Sequence, residues 1–320
     1  MATQAFYPFR SEEDKTKYTS MYLNWAKSWP VLSETMLVDT PAGQTFVRIS
    51  GRVTDPPLVL LPGARGTSLM WAGMIRALSA HYRTYALDTI NDTGLSVMRR
   101  PISTPDDLVR WLDEVFGVLV PEGRLNVMGM SYGGWLASLY AVRFPDRLAK
   151  VIMLAPGSTV LRLSFGFVAR AVLLSLPLPG LGGNPLRRTI RWIFKDTLQS
   201  GEAGRKVVEE DLPELLSSGR HFAIPRMMWP TVLDDQTWRE FRVPALFIVG
   251  ENEKIYSPKT AVKRLNRLAP HIQTEIIPGA GHDLTLAKPD VVARKVLDFL
   301  AVPAGGPADA ELPRTTHSVE

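Results

Sequence analysis

Leu125-Asn126-Val127-Met128-Gly129-Met130-Ser131-Tyr132-Gly133-Gly134-Trp135-Leu136-Ala137-Ser138-Leu139-Tyr140-Ala141-Val142 is the stretch whose reading decides the fold. Residues 125–128 are short and apolar enough for a buried strand, and residues 135–142 suit a helix. Between them Gly129, Ser131 and Gly133 form a G-x-S-x-G core, the pattern of a nucleophile elbow when it joins a strand to a helix. The serine of such a turn sits in a strained backbone conformation. Side chains two residues before and after it would collide, which accounts for Gly129 and Gly133, and Gly134 lets the helix approach the sheet. The start of that helix aims unpaired N–H groups at negative charge forming beside Ser131. Glycine-rich turns also join strands to helices in α/β proteins of many functions. Here the strand before and the helix after make Ser131 the candidate nucleophile.

Upstream, residues 34–38 and 45–49 alternate around Asp39-Thr40-Pro41-Ala42-Gly43 and read as an antiparallel pair. Residues 57–61 are a continuous apolar run, suited to a strand buried on both faces. They end in Pro62-Gly63-Ala64-Arg65-Gly66-Thr67-Ser68. A helix is expected near 69–78, a strand over 84–87 and a helix from Pro105 to Val118 with acids in its first turn. Residues 148–154 form the next strand. The alternation then breaks, and 158–240 show helical stretches and breakers, including a cluster at 180–185. Residues 161–176 are apolar on nearly every side, which predicts a buried or cavity-lining helix. Alternation resumes with a strand at 243–249, a helix near 260–268, a strand at 273–277 and a helix at 290–300. At the start, Ser11-Glu12-Glu13-Asp14 reads as a helix start. Tyr18, Tyr22, Trp25 and Trp29 follow at helical spacing up to Pro30. That helix is expected to dock on its own domain.

Strands alternating with helices predict an α/β fold, a mostly parallel sheet with helices on both faces. Its core would be residues 1–157 and 241–302, opening with an N-terminal helical extension over 1–30. Residues 158–240 would form a helical cap inserted after the sixth strand, over the carboxyl ends where ligands of open sheets bind. Residues 303–320, rich in Pro, Ala, Gly and charge, read as a mobile tail.

Hydrophobic residues make up 45% of the 320 and charged residues 22%, so a packed core is expected. There is no Cys, which excludes disulfides, a cysteine nucleophile and thiolate metal sites. The net charge of +5 is spread among interleaved acids and bases and reads as a solvated surface, not a nucleic-acid footprint. No signal peptide and no uncharged run of membrane-spanning length is visible, so a cytoplasmic protein is expected. No cofactor or metal is called for, and a homodimer is compatible with the sequence.

A serine hydroxyl needs a base within hydrogen-bond reach. Of the five His, His81 precedes a central strand, His221 lies in the insert, His271 flanks a helix end and His317 is in the tail. Only His282, in Pro278-Gly279-Ala280-Gly281-His282-Asp283, sits just after a late strand in a glycine-rich loop. The base needs an acid to fix its tautomer. Glu251, Glu253 and Asp283 are the candidates. Glu253 is favoured because it lies past the strand end, in the loop facing the site. A tetrahedral intermediate needs two or more donors. The Tyr132 N–H is one, and Ala64 N–H, from the turn after residues 57–61, is the other. Arg65 is read as facing solvent, with an acidic group of the substrate as its alternative partner.

With Ser131, an acid and His282 in that order, the chain resembles the α/β-hydrolase superfamily. Within it, Thr67-Ser68-Leu69-Met70-Trp71, Tyr82-Arg83-Thr84-Tyr85-Ala86-Leu87-Asp88, Gly250-Glu251-Asn252-Glu253-Lys254-Ile255-Tyr256 and Gly279-Ala280-Gly281-His282 resemble bacterial serine carboxylesterases of the naproxen-esterase type. The resemblance implies hydrolysis of small or medium apolar esters through an acyl-enzyme, without a metal. Acyl transfer or thioester hydrolysis on the same residues, or ligand binding with slow turnover, are the alternatives. The chain departs from the family pattern twice. Pro62-Gly63 stands where His-Gly is frequent, removing a side chain that braces the oxyanion loop. Glu253 stands where Asp is usual.

Overall fold

The computed structural model describes residues 7–175, 185–212, 218–223 and 228–303. The tail after 303 and most of the breaker cluster at 180–185 lie outside the described residues.

The elements are α1 (Glu12–Ala26), β1 (Glu34–Thr40), β2 (Gly43–Ser50), β3 (Pro57–Leu61), α2 (Ala72–Ser79), β4 (Arg83–Leu87), β5 (Val97–Met98), α3 (Pro105–Leu119), β6 (Leu125–Met130), α4 (Tyr132–Arg143) and β7 (Leu148–Leu154). Helices α5 (Phe165–Ser175), α6 (Pro185–Ile193), α7 (Lys195–Leu198), α8 (Glu202–Lys206) and α9 (Asp235–Arg239) follow. The chain returns to the sheet with β8 (Ala245–Gly250), α10 (Pro258–Leu268) and β9 (Gln273–Ile277), and ends in α11 (Leu284–Ala287) and α12 (Pro289–Ala301). The sheet order is β1-β2-β4-β3-β6-β7-β8-β9, with β5 paired to the margin of β2. Strands from β4 to β9 run parallel, and β1 and β2 are antiparallel to their neighbours. The insert leaves the sheet after β7, the sixth strand when the two-residue β5 is set aside.

The central strands are apolar at nearly every position, with Asn126 of β6 and Lys150 of β7 as exceptions, because both faces are covered. Alternate residues go to opposite faces. Leu58, Leu60, Met128, Ile152, Leu246 and Ile248 pack with Trp71, Ile75 and Val296. Val59, Leu61, Val127, Val151, Phe247 and Val249 pack on the other side with Trp111, Leu112, Tyr140 and Leu265. Each such side chain removed from water contributes about 1.5–3 kcal/mol. Helix α3 shows how locally this is written. Thr104 and Asp107 form a capping box, Pro105 opens the first turn, and Leu108, Trp111, Leu112, Val115 and Phe116 make one buried face.

Two expectations need correction. The N-terminal helix stops at Ala26, so Trp29 lies beyond it and donates from Nε1 to Ser50 Oγ. Tyr18 and Tyr22 are the ring positions it buries, against Phe9, Phe46 and Phe222. The described residues of the 161–176 stretch do not form a buried helix. Helix α5 starts at Phe165, which is 88% exposed, and Val172 and Leu173 are about half exposed. Among the described residues of this stretch only Leu161, Leu163 and Phe167 pack against the core, and Phe167 stacks on Trp192 with centroids 5.4 Å apart. An apolar circumference is a statement about composition; here a single side has found cover.

Parallel pairing aligns the strand ends. Leu61 pairs with Gly129, Gly129 with Met153, Met130 with Leu154, and Gly250 with Ile277. The loops after β3, β6, β7, β8 and β9 therefore leave from one edge of the sheet.

Candidate active site

Ser131 leaves that edge with φ 51° and ψ −109°, a conformation that costs a non-glycine residue about 1–3 kcal/mol. It is held by its own backbone. The Ser131 N–H donates to Leu154 O at 2.9 Å, and its carbonyl accepts from Gly157 N–H and Trp135 N–H, both at 3.0 Å. The turn is too tight for side chains. A Cβ on Gly129 would overlap the Gly133 carbonyl, and one on Gly133 would overlap the Leu61 carbonyl.

His282 Nε2 lies 2.9 Å from Ser131 Oγ, and His282 Nδ1 lies 2.8 Å from Glu253 Oε2. The other Glu253 oxygen accepts the N–H groups of Lys254 at 2.8 Å and Ile255 at 2.9 Å, so the carboxylate cannot rotate freely. Burial pushes Glu253 up, but the imidazole and those two N–H groups outweigh it and hold its carboxyl below the ordinary value. Burial pulls His282 down, but the charge and hydrogen bond of Glu253 outweigh it and raise the imidazole above its usual 6.5.

The other candidates point elsewhere. Glu251 is exposed and accepts the Gly279 N–H at 3.1 Å. Asp283 is buried, and its Oδ2 accepts the N–H and hydroxyl of Thr197 at 2.8 and 2.6 Å. It ties the histidine loop to α7. His221 is buried and meets Asp14 at 2.6 Å, joining the insert to α1, while His81 is exposed. His271 is pulled down by burial; His317 lies outside the described residues.

The loop after β3 passes beside the serine. A Cβ on Gly63 would sit 3.5 Å from Ser131 Cβ. Its N–H groups can be counted. Pro62 has none. Gly63 N–H points at Met70 Sδ (3.2 Å), Arg65 N–H donates to Asp92 Oδ2 (2.6 Å) and Gly66 N–H to Gly63 O (2.9 Å). Among the described residues the Ala64 N–H has no acceptor, and neither does the Tyr132 N–H that opens α4. Arg65 is exposed, as read from sequence, with its guanidinium against Gly219 of the insert.

Sequence reasoning missed what lies under this loop. Asp88, with no exposed surface, accepts the N–H groups of Ser68 at 2.7 Å and Leu95 at 2.8 Å and the Tyr22 hydroxyl at 3.2 Å. Burial pushes it above the ordinary carboxyl value despite those donors. A charged residue closing the apolar β4 run was the available signal. Asp92, four residues on, carries no local signal at all.

Among the described residues there is no cluster of His, Asp and Glu able to hold a metal ion, and no helix long and apolar enough to cross a membrane.

The chain matches the model of the alpha/beta hydrolase family over residues 58–295. It is 32% identical to an uncharacterized carboxylesterase of Bacillus subtilis, nap, over 90% of this chain and 94% of that one. It is 30% identical to carboxylesterase YbfK of the same organism, over 91% of this chain and 96% of the relative. The crystal structure of naproxen esterase from Bacillus subtilis superposes with a TM-score of 0.79 at 30% identity, covering 91% of this chain and 99% of that one.

Proposed function

The chain belongs to the alpha/beta hydrolase family and is a carboxylic ester hydrolase, and on that premise we propose that it cleaves small or medium apolar esters through an acyl-enzyme formed on Ser131. The observation that carries this reading is the continuous relay from Ser131 Oγ through His282 to Glu253, with contacts of 2.9 and 2.8 Å.

In the proposed cycle Ser131 Oγ attacks the ester carbonyl carbon while His282 Nε2 takes the hydroxyl proton. The carbonyl π pair moves onto oxygen, and that oxyanion accepts the N–H groups of Ala64 and Tyr132, neither of which has an internal acceptor among the described residues. The oxyanion collapses, the C–O bond to the alcohol breaks, and the leaving oxygen takes the proton from His282. A water then repeats the sequence on the acyl-enzyme and releases the acid. Glu253 stays ionised, keeps the Nδ1 proton in place and stabilises the imidazolium. No step asks for a metal or cofactor.

We read residues 1–157 and 241–302 as the hydrolase core and 158–240 as a cap. Three contacts support this. Pro230 of the insert lies within 3.6 Å of the space a Cβ would fill on Gly157, itself beside Ser131 Oγ. Gly219 rests on Arg65, and Thr197 is tied to Asp283. With α5 largely exposed, the apolar preference rests on the apolar groups around the serine turn, Met70 against Gly63 and Pro230 against Gly157, where an unpaired charge on the acyl group would be costly.

A panel of p-nitrophenyl esters of increasing acyl length, run beside the matching thioesters and a monoester of a dicarboxylic acid, tests the reading. Apolar oxygen esters are expected to turn over best. Preference for thioesters, or for an added alcohol acceptor over water, would move the protein to thioester hydrolysis or acyl transfer. Absence of turnover on every ester would favour the binding alternative.

The pH dependence follows from His282. Only the neutral imidazole can take the serine proton, so kcat/KM rises with pH through the His282 pKa of the free enzyme. Glu253 raises that pKa above 6.5, so the acid limb should have its midpoint above 6.5. Neutralising Glu253 removes the largest raising influence and leaves burial and Lys254 opposed only by the weaker charge of Asp283, so residual activity in Glu253→Gln should show a midpoint shifted to lower pH. A pH–rate profile of both proteins checks the sign.

A further inference from the structure

Arg65 is held at φ 62°, the left-handed region, where a residue with a Cβ stays only if its surroundings hold it there. Two neighbours do so. Its N–H donates to Asp92 Oδ2 at 2.6 Å, and its carbonyl accepts from Thr93 Oγ1 at 3.3 Å. The second Asp92 oxygen accepts the Thr93 N–H at 2.7 Å. Asp92 is 3% exposed, in a loop whose residues 88–94 are all buried. Below it Asp88 pins both ends of the surroundings, through Ser68 N–H and Leu95 N–H. The clamp is therefore mounted on a fixed base.

We propose that Asp92 is a positioning residue for the oxyanion loop: by gripping the Arg65 N–H it fixes the peptide next to Ala64 and keeps the Ala64 N–H unpaired beside Ser131. This rests on the reading of Ala64 as an oxyanion donor. It also explains how the loop is braced although Pro62 stands where a histidine is frequent in the family. The brace comes from the adjacent strand's loop instead of from the residue before Gly63.

The energetics favour a positioning role over a merely structural one. Burial pushes the Asp92 carboxyl up to about 6, against the two backbone N–H groups and the weaker pull of the Arg65 charge. A buried carboxylate satisfied only by backbone N–H groups is a costly way to gain stability. It is an effective way to fix a peptide, because an ionised acceptor makes the stronger hydrogen bond.

Aspartate is required on this account. Each oxygen accepts one backbone N–H, whereas asparagine would set an NH2 group against one of the two donors. Asp92→Asn is expected to lower kcat about tenfold to a hundredfold, short of the cost of deleting an oxyanion donor outright. KM should stay within about threefold, because ground-state binding does not use the donor. A trifluoromethyl ketone, whose serine adduct carries the oxyanion, should bind more weakly by a similar factor. Thr93→Val frees the other side of the Arg65 residue while keeping the Thr93 backbone, and should weaken the ketone in the same direction by a smaller factor. That variant keeps the test open if Asp92→Asn fails to fold. Unchanged ketone affinity in the folded variants would overturn the proposal. A wild-type protein that the ketone does not inhibit at all would instead overturn the oxyanion assignment beneath it.

Discussion

Replacing Ser131 by alanine is expected to abolish ester hydrolysis, with a loss in kcat on the order of 10⁶. The size follows from the relay, since without Oγ the imidazole has no nucleophile to deprotonate and only background attack by water remains. The fold should survive. Among the described residues the Ser131 hydroxyl hydrogen-bonds only to His282 Nε2, and the strained turn is held by backbone bonds to Leu154, Trp135 and Gly157 that alanine retains. Alanine at φ 51° is no more crowded than serine. Activity on a p-nitrophenyl ester, with circular dichroism and a thermal melt to establish folding, is the measurement. A folded variant within tenfold of wild type would remove the elbow from the mechanism.

The second large effect is expected at Glu253. Its carboxylate has two jobs, accepting from His282 Nδ1 through one oxygen and from Lys254 and Ile255 N–H through the other. Glutamine can do only one of them. With its oxygen toward the two N–H groups, its NH2 faces Nδ1 and forces the proton to Nε2, the wrong tautomer for taking a proton from Ser131. Reversed, the NH2 collides with two backbone donors in a buried place. The corresponding change in serine proteases costs about 10⁴ in kcat. Because other acids partly substitute in such sites, a loss of about 10² to 10⁴ is expected. Glu251→Gln should stay near wild type, since that side chain is exposed and bonded to Gly279. Asp283→Asn should loosen the Thr197 tie without altering the tautomer. Glu253→Gln must be slower than both by at least about tenfold, equal to about 1.4 kcal/mol of transition-state stabilisation. If Glu251→Gln is the slow variant, the acid moves two residues; three near-normal variants would place it elsewhere in the chain.

The parts of this architecture that sequence made legible share one property: each sits just past a strand end. Ser131 follows β6, Glu253 follows β8 and His282 follows β9, and parallel pairing brings such positions to one edge. Apolar runs bounded by glycine mark those ends clearly. Counting residues beyond the strand separates Glu253 from Glu251, and in the fold one is buried against His282 and the other is exposed. What was not legible depends on contacts between loops. Asp92 is an isolated acid in a polar run, and its meeting with Arg65 N–H links positions 27 apart in sequence. The two residues of β5 are too few for any periodicity. Helix α5 misled because hydrophobic composition does not say how many sides a helix has covered, and Phe165, Val172 and Leu173 remain in the open.

The account's central claim is that Ser131 becomes acylated, and peptide mapping of the covalent adduct tests it most directly. The protein is treated with a fluorophosphonate, digested, and the modified residue located by mass spectrometry. One adduct is predicted, on the peptide carrying Ser131, with activity lost in proportion to labelling, faster in wild type than in Glu253→Gln, and absent in Ser131→Ala. Complete inactivation with the label on another residue, or full ester turnover by a protein that stays unlabelled, would contradict it.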